Sequence, residues 1–435
     1  MLARAALVAV LLTACAAELP GEEEGETSSA VKDAEIVVRG FDDGGAKVKS
    51  WGYDVKQDGA ARKLKPALAK EVFGDVGMNL IRVAVRATVG HPKKGDVTGS
   101  AYADDLEAIA NAKAVRPGLA VFASLKLLGK ETFPGWVKTG GEVDAPTYAE
   151  LLEDYLAFMK AKGVTIDWLG VDCERKWNEG NITPAKYVTI VNRVTAWAKQ
   201  NDVKVPGFIA AEDYGPGDTA SWANQLANQG DFSLVDRLGV HLYSKHREPS
   251  YLDKMDDVMN ASRQKGLWDS ELHWNDLDDD GVKFDEIKSG MLLAFDHFDR
   301  GFESMTWWAF KAPSEGTKSA NVQSELVRST VGASVLATSD GSGNDRMATN
   351  TLSARGFKND ETHATVWVLN FGAARKGEIT QIGGQKVASA SYVQWTSTSA
   401  VGGAKGNASL VGKNAAAFRM DYPAGTITRV SVTLK

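Results

Sequence analysis

The sequence predicts an α/β protein, a (β/α)8 TIM barrel with a C-terminal antiparallel β-sandwich. Three observations carry this. From about residue 35, eight short apolar or β-branched runs alternate with stretches whose apolar residues recur at helical spacing. Together they occupy roughly 300 residues, the size that eight strand–helix units need. Beyond Val331 the helical spacing stops, and short strand-like runs separated by Gly, Asn, Asp and Ser take over, as in a sandwich of about 100 residues.

The first residues, Met1 to Ala14, combine one positive charge, an apolar run from Ala5 to Leu12 and small residues before a break, the parts of an export signal. The apolar run is far shorter than the roughly 20 residues that span a bilayer. Leu12-Thr13-Ala14-Cys15 resembles the bacterial lipobox, in which the cysteine is lipidated and becomes the mature N-terminus. An ordinary cleaved signal is the alternative. Residues 15–34 are rich in Glu, Gly and Ser and read as a flexible acidic tether. The expected location is the cell envelope, at the outer membrane or cell surface, with the lipid as the only membrane contact.

The barrel is expected over residues 35–335. Its eight runs are Ile36–Phe41, Asn79–Arg86, Ala120–Leu125, Trp168–Glu174, Val205–Glu212, Arg237–Ser244, Leu267–Leu272 and Ser304–Phe310. Between them, Leu151, Leu152, Tyr155, Leu156 and Met159 fall on one helical stripe. Pro146 and Pro184 stand where helices begin. A last helix is expected near Val322–Val331. An open doubly wound sheet is disfavoured because no early strand runs into a GxGxxG turn. The sandwich, residues 336–435, has strand-like runs at Ala348–Arg355, Ala364–Asn370, Gly377–Ile382, Tyr392–Thr396, Ala416–Tyr422 and Ile427–Leu434.

In such a barrel the active site lies at the carboxyl ends of the strands. Strand two carries Arg82. Strand four closes on Asp172-Cys173-Glu174-Arg175, strand five on Glu212-Asp213, strand six on His241-Leu242-Tyr243, strand seven on Ser270-Glu271, and strand eight holds Trp307-Trp308. An isolated carboxylate is very costly to bury, so one that ends an apolar strand is either solvated or held for use. Glu174 and Glu271 stand about three strand–helix units apart, on opposite sides of a mouth. Two carboxyls facing at about 5–5.5 Å cleave a glycosidic bond with retention, one as nucleophile and one as acid and then base.

These segments resemble glycoside hydrolase family 30, whose catalytic glutamates lie on strands four and seven. Gly40-Phe41-Asp42 is similar to its first-strand Gly-Phe-Gly, and Phe122-Ala123-Ser124 with Pro134-Gly135-Trp136-Val137-Lys138 to its Ala-Ser-Pro-Trp segment. Gly239-Val240-His241-Leu242-Tyr243 resembles its sixth strand and Leu267-Trp268-Asp269-Ser270-Glu271 its nucleophile strand. Gly356-Phe357-Lys358-Asn359 and Tyr422-Pro423-Ala424-Gly425-Thr426-Ile427-Thr428 resemble two sandwich motifs. The resemblance implies a β-glycosidase acting on an extracellular polysaccharide or oligosaccharide. It makes Glu174 the acid/base and Glu271 the nucleophile, with Arg82 and Tyr243 bonded to Glu271. It also puts His241, Trp136 and Trp307 or Trp308 at the sugar.

Two positions depart from the pattern. Cys173 stands where the family has an Asn that contacts the sugar 2-hydroxyl, and Leu125-Lys126 replaces the continuation of the Ser-Pro-Trp segment. A non-catalytic glycan-binding barrel is therefore the second reading. Lys126, Arg175 and Lys176 are either a basic rim for an acidic sugar or a solvated face.

Asp276-Leu277-Asp278-Asp279-Asp280-Gly281 has the oxygen spacing of a Ca²⁺ loop, with Asp276, Asp278 and Asp280 as ligands. The twelfth position is Ile287, with Glu286 one residue early. A structural Ca²⁺ and a plain acidic loop both fit. No organic cofactor is expected. Net charge is −6 and no Lys/Arg run stands out, which argues against nucleic acid. The two cysteines, Cys15 and Cys173, suggest no disulfide framework, so stability is expected to come from a large core, and the chain is expected to be monomeric.

Overall fold

The computed structural model describes residues 36–42, 45–56, 63–126, 132–174, 182–244, 247, 249–274, 283–339 and 352–435. The signal at 1–14, Cys15, the tether, Arg175, Lys176 and the Asp276, Asp278 and Asp280 loop all lie outside the described residues.

Eight parallel strands close into a barrel: Ser50–Asp54, Leu80–Arg86, Ala120–Lys126, Trp168–Gly170, Gly207–Tyr214, Arg237–Tyr243, Gly266–His273 and Phe302–Trp307, named strands one to eight below. Long helices follow them. Ala145–Ala161 is capped by Asp144, whose carboxylate accepts the Thr147 N–H at 3.0 Å, and Pro184–Gln200 by Thr183, whose hydroxyl accepts from Lys186 N–H. Pro146 and Pro184 fall in the first turns of these helices, and Leu151, Leu152, Tyr155, Leu156 and Met159 are all buried against the barrel. Among the described residues, no helix is long and apolar enough to cross a membrane.

Side chains alternate along a strand, so one parity points into the barrel. At the lower level this parity delivers Leu80, Phe122, Ile209 and Trp268, an apolar plug of their own. Phe122 and Trp168 pack on Trp268 at centroid distances of 5.7 and 4.9 Å. Two residues further along, the same parity delivers Arg82 after Leu80, Ser124 after Phe122 and Gly170 after Trp168, and His241 joins this level from strand six. The polar layer thus sits directly on a dry floor.

Two bulges adjust this register. Strand five shifts against strand six between Ala211 and Asp213, and strand seven shifts between Asp269 and Glu271. Each turns an extra side chain, Glu212 or Glu271, into the barrel. Bulges that re-aim a side chain are common beside active sites.

One sequence expectation is overturned. Ile36–Arg39 is not the first barrel strand: it pairs antiparallel with Ser334–Ser339 and parallel with Arg375–Ile382, inside the sandwich. The first barrel strand is Ser50–Asp54, and the sandwich is built from both ends of the described chain. Gly40-Phe41-Asp42 accordingly follows a sandwich strand. The physical reason is burial. Ile36 and Val38 point into the sandwich core while Arg39 is exposed, whereas strand one is closed in on both faces, as parallel barrel strands are.

The remaining sandwich strands include Leu352–Lys358, His363–Asn370, Val387–Trp395, Ala417–Tyr422 and Ile427–Leu434. Trp367 and Trp395 stack at 5.9 Å, and their indole N–H groups donate to Ser329 and Asn321 of the last helix, Lys318–Thr330. Arg355 chelates Asp299. These contacts join the sandwich to the barrel away from the mouth.

Candidate active site

The polar layer is organised around Arg82, which is fully buried and has grown from the middle of an apolar strand. Its Nη1 donates to Asp54 at 2.9 Å and to Glu271 at 2.6 Å; its Nη2 donates to Glu212 at 3.0 Å and Ser124 at 3.1 Å. A guanidinium is the one side chain that can serve several carboxylates in a fixed fork and stay charged while doing so.

Glu271 is held as a carboxylate. Burial pushes its pKa up, but the charges of His241, Arg82 and Lys56 and the hydrogen bond from Tyr243 outweigh this and hold it well below the usual range. Tyr243 Oη donates to Oε1 at 2.6 Å, while Arg82 takes Oε2. Burial and the neighbouring carboxylates keep the Tyr243 phenol far above its ordinary pKa, so it remains a donor. The backbone N–H of Glu271 is in turn fixed by Asp269, whose other carboxylate oxygen lies 2.8 Å from His297 Nε2.

Glu174 approaches from the opposite wall. Its backbone is in the left-handed region, at φ +49°, and is fixed there by its N–H bond to the Glu212 carbonyl at 2.9 Å. A non-glycine residue at positive φ costs of order 1–3 kcal/mol and persists where surroundings over-determine it, typically at a functional site. His241 Nδ1 lies 2.8 Å from Glu174 Oε1 and 3.7 Å from Glu271 Oε2. Ligating atoms of Glu174, His241 and Glu271 all fall within 4.8 Å of one another. One oxygen of each carboxyl thus lies within 4.8 Å of the other.

Such a trio resembles a metal site, but the positive charge there is already supplied by protein. Arg82 and Lys56 neutralise Glu271, and the Nδ1–H of His241 is directed at Glu174. Burial lowers the His241 pKa, yet Glu271, Glu174 and Glu212 push it up to about 9. Two protein cations and an imidazole therefore already balance much of the negative charge of this trio.

Three residues in this layer escaped the sequence reading. Asp54 and Lys56 follow from the displaced first strand, and both share the inward parity of Gly52. Glu212 was noted only as a strand end. Its side chain lies in a space that exists because residue 170 is glycine: a Cβ there would stand 1.6 Å from Glu212 Oε1. Gly239 closes the other side, where a Cβ would meet Glu212 Cγ at 3.0 Å. Asp54 and Lys56 at the end of strand one, two residues apart like Ser124 and Lys126 at the end of strand three, were the available signal.

The other candidates divide. Trp308 faces the mouth, edge-on to His273 at 4.9 Å and to Tyr243 at 6.4 Å. Trp307 does not: it is completely buried and stacks on Trp51 at 5.6 Å. Strand parity decides this, since Ser304, Thr306 and Trp308 point inward and Met305 and Trp307 point to the helices. Trp136 is half-buried, and its indole donates to the His91 carbonyl at 2.8 Å, which ties it to the segment after strand two. Cys173 is buried against Lys56, whose Nζ donates to its Sγ at 3.0 Å. Burial pushes the thiol up to about 12.

No protein-family model matches the chain, and no curated protein sequence matches it. Solved structures do. A GH30 endoxylanase from Clostridium papyrosolvens C71 superposes with a TM-score of 0.70 at 18% identity, covering 92% of this chain and 100% of that one. A family 30 subfamily 8 xylanase from Clostridium acetobutylicum gives 0.67 at 17% identity, over 92% and 100%. An endo-β1,6-glucanase gives 0.64 at 13% identity, over 93% and 95%. Built as a closed barrel with an attached sandwich, the chain shares the fold of these family 30 structures.

Proposed function

We propose that the chain is a retaining β-glycosidase, with Glu271 as nucleophile and Glu174 as acid/base. The observation that carries this is the pairing of two carboxyls in unlike environments across one histidine. Glu271 receives Arg82, Tyr243 and the field of Lys56, all of which favour an anion. Glu174 meets instead the Nδ1 of His241 at 2.8 Å on the opposite wall of the mouth, which suits it to the acid/base role.

In the first step Glu271 attacks the anomeric carbon while Glu174 protonates the departing oxygen. The Nδ1–H of His241, donated to Glu174 Oε1, stabilises the carboxylate so formed and leaves Oε2 to carry the proton. In the second step Glu174 takes a proton from water, which releases the sugar from Glu271 with overall retention. Trp308 supplies an apolar face for the reacting sugar.

The substrate is a β-linked polysaccharide or oligosaccharide; the xylanases and the β-1,6-glucanase of like fold set the order in which to look. Export with a lipid on Cys15 would place the enzyme where such polymers are met. The test is hydrolysis of xylan, glucuronoxylan, β-1,6-glucan, β-1,6-galactan and aryl β-glycosides by the chain and by Glu271→Gln. Cleavage that vanishes in the variant is the expected result. Binding without cleavage would favour a glycan-binding barrel.

A further inference from the structure

Lys56 lies just past the end of strand one, at the same inward parity as Asp54, and only 5% of its surface is exposed. Its backbone N–H donates to Asp54 Oδ1 at 2.6 Å, which fixes where the side chain starts. The ammonium donates to Cys173 Sγ at 3.0 Å and to Ser124 Oγ at 3.4 Å. Glu271 Oε2 is 4.0 Å away. Burial and the Arg82 charge press the Lys56 pKa down, but Cys173, Glu271 and Glu212 raise it above the ordinary value.

A buried ammonium needs a use for all of its donors, and it has three. Cys173 and Ser124 account for two. The gap to Glu271 is too long for a direct hydrogen bond and fits one oxygen atom at about 2.8 Å from both sides. The oxygen that belongs there follows from the chemistry. Glu271 attacks C1 of the sugar, so the hydroxyl on the adjacent carbon, O2, is brought beside the nucleophile's carboxylate. Hydrogen bonds to that hydroxyl strengthen in the oxocarbenium-like transition state.

Resting on the glycosidase reading above, we propose that Lys56 is a specificity residue that binds the 2-hydroxyl of the reacting sugar and links it to Glu271. Cys173 then serves as the seat of Lys56 rather than as a sugar ligand. Its small, neutral thiol leaves the ammonium room beside the nucleophile. The enzyme accordingly cleaves sugars that carry a free 2-hydroxyl faster than those that lack it.

The test compares kcat/KM of the wild type, Lys56→Met and Lys56→Gln on an aryl β-glycoside that the wild type cleaves and on its 2-deoxy counterpart, corrected for spontaneous hydrolysis. Circular dichroism reports whether each variant folds. Lys56→Met should lose about 10- to 100-fold more on the 2-hydroxy substrate than on the 2-deoxy one, because only the former loses a charged hydrogen bond. Lys56→Gln keeps an N–H donor and should recover part of the discrimination, which also covers the case in which Lys56→Met fails to fold. Equal losses on both substrates would assign Lys56 a structural part only and overturn the proposal. A wild type that cleaves no aryl glycoside or polysaccharide would overturn the glycosidase reading itself, and this inference with it.

Discussion

His241 Nδ1 lies 2.8 Å from Glu174 Oε1 and 3.7 Å from Glu271 Oε2, so a fully buried imidazole stands between the two carboxyls proposed as acid/base and nucleophile. Its protonation therefore couples to both. The three surrounding carboxylates raise its pKa from 6.5 to about 9. A raised basic group stabilises the fold fully below its unfolded value, and the contribution disappears as pH rises through the folded one. The window is thus from about pH 6.5 to about 9, and the size is about 3 kcal/mol as an upper figure. Thermal melts across that window should show the wild type losing stability toward alkaline pH. His241→Gln should be less stable at pH 6 but flatter; parallel curves would contradict the coupling.

On the proposed mechanism, Glu174→Ala removes the acid of the first step and the base of the second. Poor leaving groups need that acid, so their cleavage should fall by about 10²–10⁴-fold. Dinitrophenyl glycosides, which leave without a proton, should form the glycosyl-enzyme at nearly normal speed and then stall. Added azide should restore turnover and yield a β-glycosyl azide. Uniform loss on both substrate types would contradict the assignment.

Gly170 and Glu212 form one unit. A methyl at residue 170 would stand 1.6 Å from Glu212 Oε1, so Gly170→Ala must expel the carboxylate that holds Arg82 and Ser124. Breaking a buried ion pair from one side costs about 3–5 kcal/mol. Glu212→Ala should cost a similar amount. In the double variant the second change should be nearly free, because the methyl then enters the space left by the carboxylate. Denaturant melts of the four proteins measure the coupling, and additive losses would contradict the packing.

The barrel was legible because parallel strands buried on both faces leave continuous apolar runs, and seven of the eight were found at their places. The miss at strand one has a physical cause. Ser50-Trp51-Gly52-Tyr53-Asp54 looks polar because its inward residues are a glycine and an aspartate, while Ile36-Val37-Val38 looks like a core strand and is one, in the other domain. Losing that strand lost Asp54 and Lys56. Glu174, Glu271, Arg82, His241 and Tyr243 were visible as polar residues closing apolar strands. Glu212's part was not, since it depends on a bulge and on a glycine one strand away, neither of which a linear pattern reveals.

The two adjacent tryptophans should separate cleanly. Trp307→Ala removes a fully buried side chain stacked on Trp51 and should destabilise the fold by about 3–5 kcal/mol. Trp308→Ala should leave the melting temperature nearly unchanged and raise KM about tenfold or more, as loss of an apolar sugar platform does. Steady-state kinetics beside melting curves distinguish them. The reverse pattern would mean that the parity of strand eight is misassigned.

The proposed double displacement through Glu271 comes down to one covalent bond. The chain is incubated with a 2-deoxy-2-fluoro dinitrophenyl β-glycoside of a sugar it cleaves, which forms the intermediate and slows its hydrolysis, and the digest is read by mass spectrometry. A single glycosyl group on the peptide carrying Glu271, absent in Glu271→Gln, is the expected result. Turnover with no adduct, or an adduct on Glu174 or another residue, would contradict the assignment of Glu271 as nucleophile.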